Sequence, residues 1–204
     1  MTSARRIGVE TSATRSALLD AAERLMRDEG YAAVTSRRVA SEAGLKPQLV
    51  HYYFRTMDDL FLALIRRGAE ANRERLVAAL ETDRPWRALW ELSTDTRGAV
   101  LHLEFTALAN HRKVIKAEIA RYAEEFRTIQ VEALTRHLSA RRIDPKILPI
   151  VAAVLTAGTS QVLVIEETLG ITAGHGETLA LVEECLRLFE ETGDGGEQIL
   201  PILK

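Results

Sequence analysis

Apolar residues return at three- and four-residue steps along most of the chain, the period of a helix with one buried face. Leu18, Ala21, Ala22, Leu25 and Met26 mark the inward stripe of a first helix from about Ser12 to Asp28, stopped by Gly30. Thr35 serves as N-cap of a short second helix through Ala43, with Val39 and Ala40 turned inward and Gly44 suited to the left-handed residue that ends it. Pro47 then opens a third helix reaching about Phe54, because a fixed φ and a missing N–H cost nothing in a first turn. Thr56-Met-Asp-Asp has the form of an N-terminal cap. Met57, Leu60, Phe61 and Leu64 continue on one face, so a long fourth helix runs to about Leu80. After the break at Glu81-Thr-Asp-Arg-Pro85, the pattern predicts helices over about 86–96, 98–110, 113–140, 145–169 and 175–191. Val162-Leu-Val-Ile165 is β-branched but lies inside a longer apolar run without turn signals, so it too reads as helix. The predicted fold class is all-α, with about nine helices.

Composition narrows the class further. With 204 residues, 47% hydrophobic and 27% charged, the chain has ample material for a core, which excludes disorder and collagen-like repetition. Cys185 stands alone, so an intrachain disulfide framework and an all-cysteine zinc site are excluded, and a reducing, cytoplasmic setting is expected. Residues 1–10 carry Arg5 and Arg6 but no apolar stretch behind them; they read as a short, loosely ordered arm rather than a secretory signal, and the stretch from Gly193 onward reads as frayed. Nineteen uncharged residues from Ile147 to Ile165 raise the question of a membrane span. Pro149 and the polar run Thr156-Ala-Gly-Thr-Ser-Gln161 argue against it, and the expectation is no membrane partner but a helix buried on most sides.

The net charge of −2 conceals an asymmetry: residues 1–55 hold nine basic and six acidic side chains, the remainder 18 basic and 23 acidic. A basic module of this kind suits a polyanion, while the body does not. Two short helices joined at Ala43-Gly-Leu45 make a helix-turn-helix in sequence terms, and in that motif the second helix enters the major groove. Its exposed face therefore needs donors and acceptors. Lys46, Gln48, His51 and Tyr52 meet that demand, while Leu49, Val50 and either Tyr53 or Phe54 pack inward. Gln48 can pair with adenine, and Lys46 can reach guanine or a phosphate. Thr35, Ser36, Arg37 and Arg38 open the preceding helix, where N–H groups and cations hold phosphates; Pro47, Arg55 and Thr56 complete the candidate DNA-binding set. His51 reads equally as an ordinary solvated histidine, and Arg37 and Arg38 as a solvated helix face.

Gly30-Tyr31, Val34-Thr-Ser-Arg-Arg-Val-Ala40, Ala43-Gly-Leu-Lys-Pro-Gln-Leu-Val-His-Tyr-Tyr-Phe54 and Asp58-Asp-Leu60 together resemble the DNA-binding domain of the tetracycline-repressor (TetR) family. The resemblance covers about residues 12–65. It implies a nine-helix subunit whose first three helices bind DNA, whose remaining helices enclose an effector pocket, and whose last two helices form a homodimer. The implied division is a helix-turn-helix domain over 1–55 and an effector-binding and dimerisation domain over 56–204. Three positions depart from the family pattern: Lys46 where a capping Ser or Thr is frequent, His51 in place of Tyr, and Met57 in place of Lys. Fewer phosphate contacts follow, leaving more of that work to Arg5, Arg6, Arg37, Arg38 and Arg55.

The body has fewer markers. Trp86, Trp90, His102, Phe105, Tyr122 and Phe126 belong to an apolar and aromatic set over three predicted helices, and Gln161 interrupts the longest uncharged run; these are the candidate effector-pocket residues. Each taken singly reads first as core and second as ligand contact. His102 and Glu104 either orient a ligand's polar end or are satisfied by a backbone carbonyl, solvent or an arginine. Ala153, Ala157, Val182, Leu186 and Phe189 are the candidate dimer contacts, from small residues that permit close approach and from an apolar stripe wider than half of the last helix. No histidine pair has zinc spacing, and no phosphate loop, nucleophile elbow or metalloprotease motif occurs. The expectation is therefore no enzyme, no metal and no cofactor. The leading reading is a regulator, most often a repressor, released from a palindromic operator by a small apolar or amphipathic effector; the alternative is a helical carrier or enzyme without DNA binding.

Overall fold

The computed structural model describes residues 12–140 and 149–191. The expected N-terminal arm, the first residues of the 145–169 helix and the stretch from Gly193 lie outside them. Nine α-helices and no strand occur among the described residues: α1 (Ala13–Glu29), α2 (Ser36–Glu42), α3 (Pro47–Tyr53), α4 (Met57–Leu80), α5 (Pro85–Ser93), α6 (Ala99–Ala109), α7 (Lys113–Ala140), α8 (Pro149–Thr168) and α9 (His175–Glu191). Short 3-10 turns stand at Tyr31–Ala33 and Thr96–Gly98.

The chain forms two compact units. One runs through Ala71 and takes in Val100–Tyr122; the other comprises Asn72–Ala99 and the residues from Ala123 on. In the first, Leu18, Leu25 and Met26 of α1, Val39 of α2, Val50 of α3 and Phe54 share a single core with Leu60, Phe61, Leu64 and Ile65 of α4 and with Leu108 and Ile115. The unit thus extends beyond residue 55, because the three N-terminal helices do not cover their own apolar stripes without α4 and α6. The second core gathers Leu76, Leu80, Trp86, Leu89, Leu134, Leu138 and Leu186.

Local chemistry sets the helix ends. The Ser12 hydroxyl accepts from the Arg15 N–H at 3.1 Å, capping α1. Gly44, at φ +65°, ends α2: its N–H donates to Ser41 O at 3.1 Å, and the Leu45 N–H donates to Ala40 O at 2.8 Å. Those two bonds make a Schellman stop, which turns the chain sharply into α3. A reciprocal box opens α4, the Thr56 N–H donating to Asp59 Oδ2 at 3.0 Å and the Asp59 N–H to Thr56 Oγ1 at 3.1 Å.

One expectation is corrected. α8 is not buried on most sides: Pro149, Ala153, Ser160 and Val164 are inside, whereas Val151, Val154, Leu155 and Val162 are 44–54% exposed. Two apolar faces on one helix produce an uncharged run as readily as burial all round, so composition could not separate the cases. By length and mean hydropathy, 1.5, α8 also meets the criterion for a membrane-crossing helix.

Candidate nucleic-acid interface

α3 is built to look outward. Pro47 starts it, Val50 and Phe54 anchor it at 1% and 2% exposure, and Leu49 and Tyr53 are half-buried. Anchored in this way, the helix leaves Lys46, Pro47, Gln48, His51 and Tyr52 exposed. Residues 48, 51 and 52 are separated by three and four, so they share one face. The Tyr52 ring, 42% exposed, stands edge-on to Tyr53 at 5.0 Å; Tyr53 is half-buried and Phe54 buried, so both turn inward where one of the two was expected.

Around α3 the cations fall into two kinds. Arg37 and Arg55 are exposed, as is Lys46, and make no ion pair with any described residue. Arg38 is exposed too, but its guanidinium grips both carboxylate oxygens of Glu29, one contact at 2.8 Å. That pair holds the Glu29 carboxyl below its ordinary value and raises Arg38. A phosphate would have to compete with Glu29 for Arg38, a partner invisible in the local sequence pattern. Thr35 is exposed and spends its hydroxyl as the cap of α2, at 3.4 Å from the Arg38 nitrogen, while Ser36 is half-buried. Thr56 is likewise exposed and engaged in the α4 cap. Beside Arg55, a groove of about 510 Å³ is lined by Arg15, Tyr53, Phe54, Asp59, Arg66 and Arg67 among others. Arg15, stacked 5.2 Å from the Phe54 ring centre, is a cation that motif reading passed over.

The helix-turn-helix is braced from outside. Arg24 bonds Glu42 at 2.9 Å, tying α1 to α2, and Arg67 bonds Glu23 at 2.7 Å and also Asp20, tying α4 to α1. Glu104 of α6 accepts the Tyr31 backbone N–H at 2.7 Å through Oε2, a partner at the corner between α1 and α2 in place of the arginine the sequence suggested. Gly30 permits this: its φ is +84°, and a Cβ there would lie 3.2 Å from Glu104 Oε2.

The candidate pocket residues divide. Trp86 is buried in the second core, with Trp90 and Phe126 packed against it, whereas Phe105 and Tyr122 pack against the first core. His102 keeps an exposed surface, and burial of part of the residue pushes its imidazole below the ordinary value. Gln161 is exposed on α8. Of the candidate dimer contacts, Ala153 and Leu186 are buried within the subunit itself, Val182 packs on the same core, and Ala157 is half-buried; the Phe189 side chain lies outside the described set. The outward face is a neighbouring one. Val154, Leu155, Gly158, Val162 and Leu163 line a groove of about 510 Å³ along α8, lined also by His175, whose Nε2 lies 2.8 Å from Glu166.

A short capped helix-turn-helix with a polar outer face, braced by α4 and α6, defines a helix-turn-helix regulatory protein. Comparison with known proteins assigns it further: the family described as bacterial regulatory proteins, tetR family, matches residues 18–64, and the chain belongs to the TetR family. It is 32% identical over 143 residues to the HTH-type transcriptional regulator BetI of Rhizobium meliloti (strain 1021), a match covering 70% of this chain and 66% of the relative. The chain thus spans about two thirds of that relative's length. Among solved structures, a TetR-family regulator from Rhodococcus sp. superimposes with a TM-score of 0.71 at 16% identity, over 86% of this chain and 100% of the other. A transcriptional regulator from Saccharomonospora viridis in complex with choline gives 0.68 at 22% identity, over 78% and 87%.

Proposed function

We propose that this chain is a ligand-responsive transcriptional regulator, a repressor that binds a palindromic DNA operator as a homodimer in the cytoplasm and leaves it when a small apolar or amphipathic effector binds the helical body. The observation that carries this reading is the outward set Lys46, Gln48, His51 and Tyr52 on a helix anchored from behind by Val50 and Phe54. Gln48 is a candidate to read adenine, Lys46 guanine or a phosphate, and the exposed Arg37 and Arg55 supply phosphate contacts that fix the register.

The second copy follows from the apolar outer face of α8, continued by the exposed Leu179 and Leu181 of α9. A face of this kind on a water-soluble body needs a cover, and a symmetric partner supplies the same face in return. Two recognition helices then meet half-sites about 34–36 Å apart or at a related spacing. Effector and DNA weaken each other by the same factor, about 5- to 150-fold, if each prefers a different arrangement of the pair. The test is selection of bound genomic fragments by the purified chain. The expected result is a single inverted repeat; sequence-independent retention of fragments would refute the reading. Choline and a panel of hydrophobic compounds can then be screened for release of the selected fragment.

A further inference from the structure

In the unit that carries the helix-turn-helix, most guanidinium groups are already held by carboxylates: Arg24, Arg38 and Arg67 as described above, Arg112 by Asp58, and Arg66 and Arg121 by Glu118. The exposed Arg and Lys side chains of that unit that make no ion pair with any described residue fall in two places. Arg37, Lys46 and Arg55 flank α3, whereas Lys113 and Lys116 stand at the start of α7. Two contacts set the level of that start. Arg112, just before α7, bonds Asp58 in the first turn of α4 and lies 5.7 Å from the Phe61 ring centre; six positions on, Glu118 accepts at 2.7 Å from Arg66, eight positions along α4. At about 1.5 Å per residue these are rises of about 9 and 12 Å in the same sense, so α7 begins level with the first turn of α4 and runs beside it in the same direction. Ile115, at 0% exposure in the first core, holds the turn from behind and leaves Lys113 and Lys116, three positions apart, on the outside. Asp58 is itself three residues past Arg55, no more than about 11 Å along the chain. The second cluster of cations therefore adjoins the junction of α3 and α4.

Opposing charge is scarce around it. No acidic residue occurs from Phe105 to Ala117, Asp58 is neutralised by Arg112, and Asp59 is engaged in the cap at Thr56. Like charges side by side repel in the free protein, and a polyanion laid along them relieves the repulsion while releasing its own counterions. We propose that Lys113 and Lys116 belong to the DNA interface: they hold backbone phosphates of the operator beyond those reached by the helix-turn-helix, so that the start of α7 extends the footprint of α3. An ammonium group acts on a phosphate as a point charge, so these contacts add affinity and fix position without choosing bases. The inference rests on the DNA-binding reading above and deepens it.

The test is phosphate ethylation interference together with a salt titration, run on the full-length chain and the selected inverted repeat with its flanking sequence. Lys113→Ala/Lys116→Ala is compared with the native chain and with Lys113→Arg/Lys116→Arg. Both side chains are exposed, so circular dichroism and the unfolding midpoint of the alanine variant should match the native values. One or two phosphates per half-site whose ethylation weakens the native chain should cease to interfere for the alanine variant, while those assigned to Arg37 and Arg55 persist. At about 0.9 units of log–log slope per phosphate, the salt dependence of a dimer should flatten by about two to four units, and affinity near about 0.1 M salt should fall about tenfold or more. The arginine variant should restore both pattern and slope. An interference pattern unchanged by the alanine pair overturns the inference even if the slope falls, because long-range attraction alone then accounts for the loss. If the native chain selects no repeat, the DNA reading fails and this inference with it; a selected repeat with an unchanged pattern leaves that reading standing and removes only the α7 contact.

Discussion

Between α1 and α3 the large apolar side chains are inside, and Tyr52 is the one left exposed among the described residues; along α8 and α9, Val151, Val154, Leu155, Val162, Leu179 and Leu181 all face outward. Both regions are helical and both leave a face uncovered, but the faces are opposite in chemistry. The N-terminal unit closes its own core with help from α4 and α6 and presents donors, acceptors and cations, as suits a hydrated polyanion. The C-terminal helices bury only one side each and present aliphatic groups, which suits a second copy of the same surface. Affinity for a palindrome would then depend on both faces at once, since one half-site engages few base edges alone.

Introducing charge on the apolar face is expected to give the largest effect. Val154→Glu with Leu155→Glu should raise the dimer dissociation constant about a hundredfold or more, because an unpaired buried charge costs several kcal/mol. Sedimentation would show monomers, circular dichroism would show unchanged helicity because both residues lie outside the subunit's core, and operator affinity would fall with dimerisation. A dimer of unaltered strength would remove α8 from the interface and with it half of the comparison.

The next effect is internal to the N-terminal unit. Glu104→Ala leaves the Tyr31 N–H without its acceptor, at an expected cost of about 1–3 kcal/mol. Urea unfolding measures the cost, and amide exchange at Tyr31 locates it. Glu104→Gln, whose carbonyl oxygen still accepts, should lose less. The smallest effect concerns the paired cation: Glu29→Gln should free Arg38 for phosphate and steepen the log–log salt dependence of operator binding by about one unit. An unchanged slope would mean that Arg38 braces α1 and α2 and nothing more.

These residues also show where sequence reading reaches and where it stops. The helical period, the Thr35 and Thr56 caps, the Gly44 stop and the Pro47 start are local signals, and each element of the helix-turn-helix follows from residues within a few positions of it. That is why the inward Val39, Ala40 and Val50 and the outward Gln48 and Tyr52 were legible without coordinates. Glu104 was not, because its partner is 73 positions away and is a backbone N–H, which no side-chain pattern encodes. The capture of Arg38 by Glu29 is hidden for the same reason on a smaller scale. For α8, composition located the helix but not its faces: Ala153 turns inward and Val154 outward, a choice made by packing in the tertiary structure. The aromatic set was dispersed for a similar cause, since Trp86 and Phe105 have the same apolar signature while serving different cores.

The central claim is that the outer face of α3 reads DNA sequence, and competition binding with full-length Gln48→Ala/Tyr52→Ala tests it most directly. Both side chains are exposed, so thermal stability should stay near that of the native chain, and weak salt-sensitive binding to unrelated DNA should persist through the remaining cations. Affinity for the selected inverted repeat should drop about tenfold to a few hundredfold, the value of one or two base-edge contacts. Undiminished preference for the repeat over unrelated DNA would contradict the account.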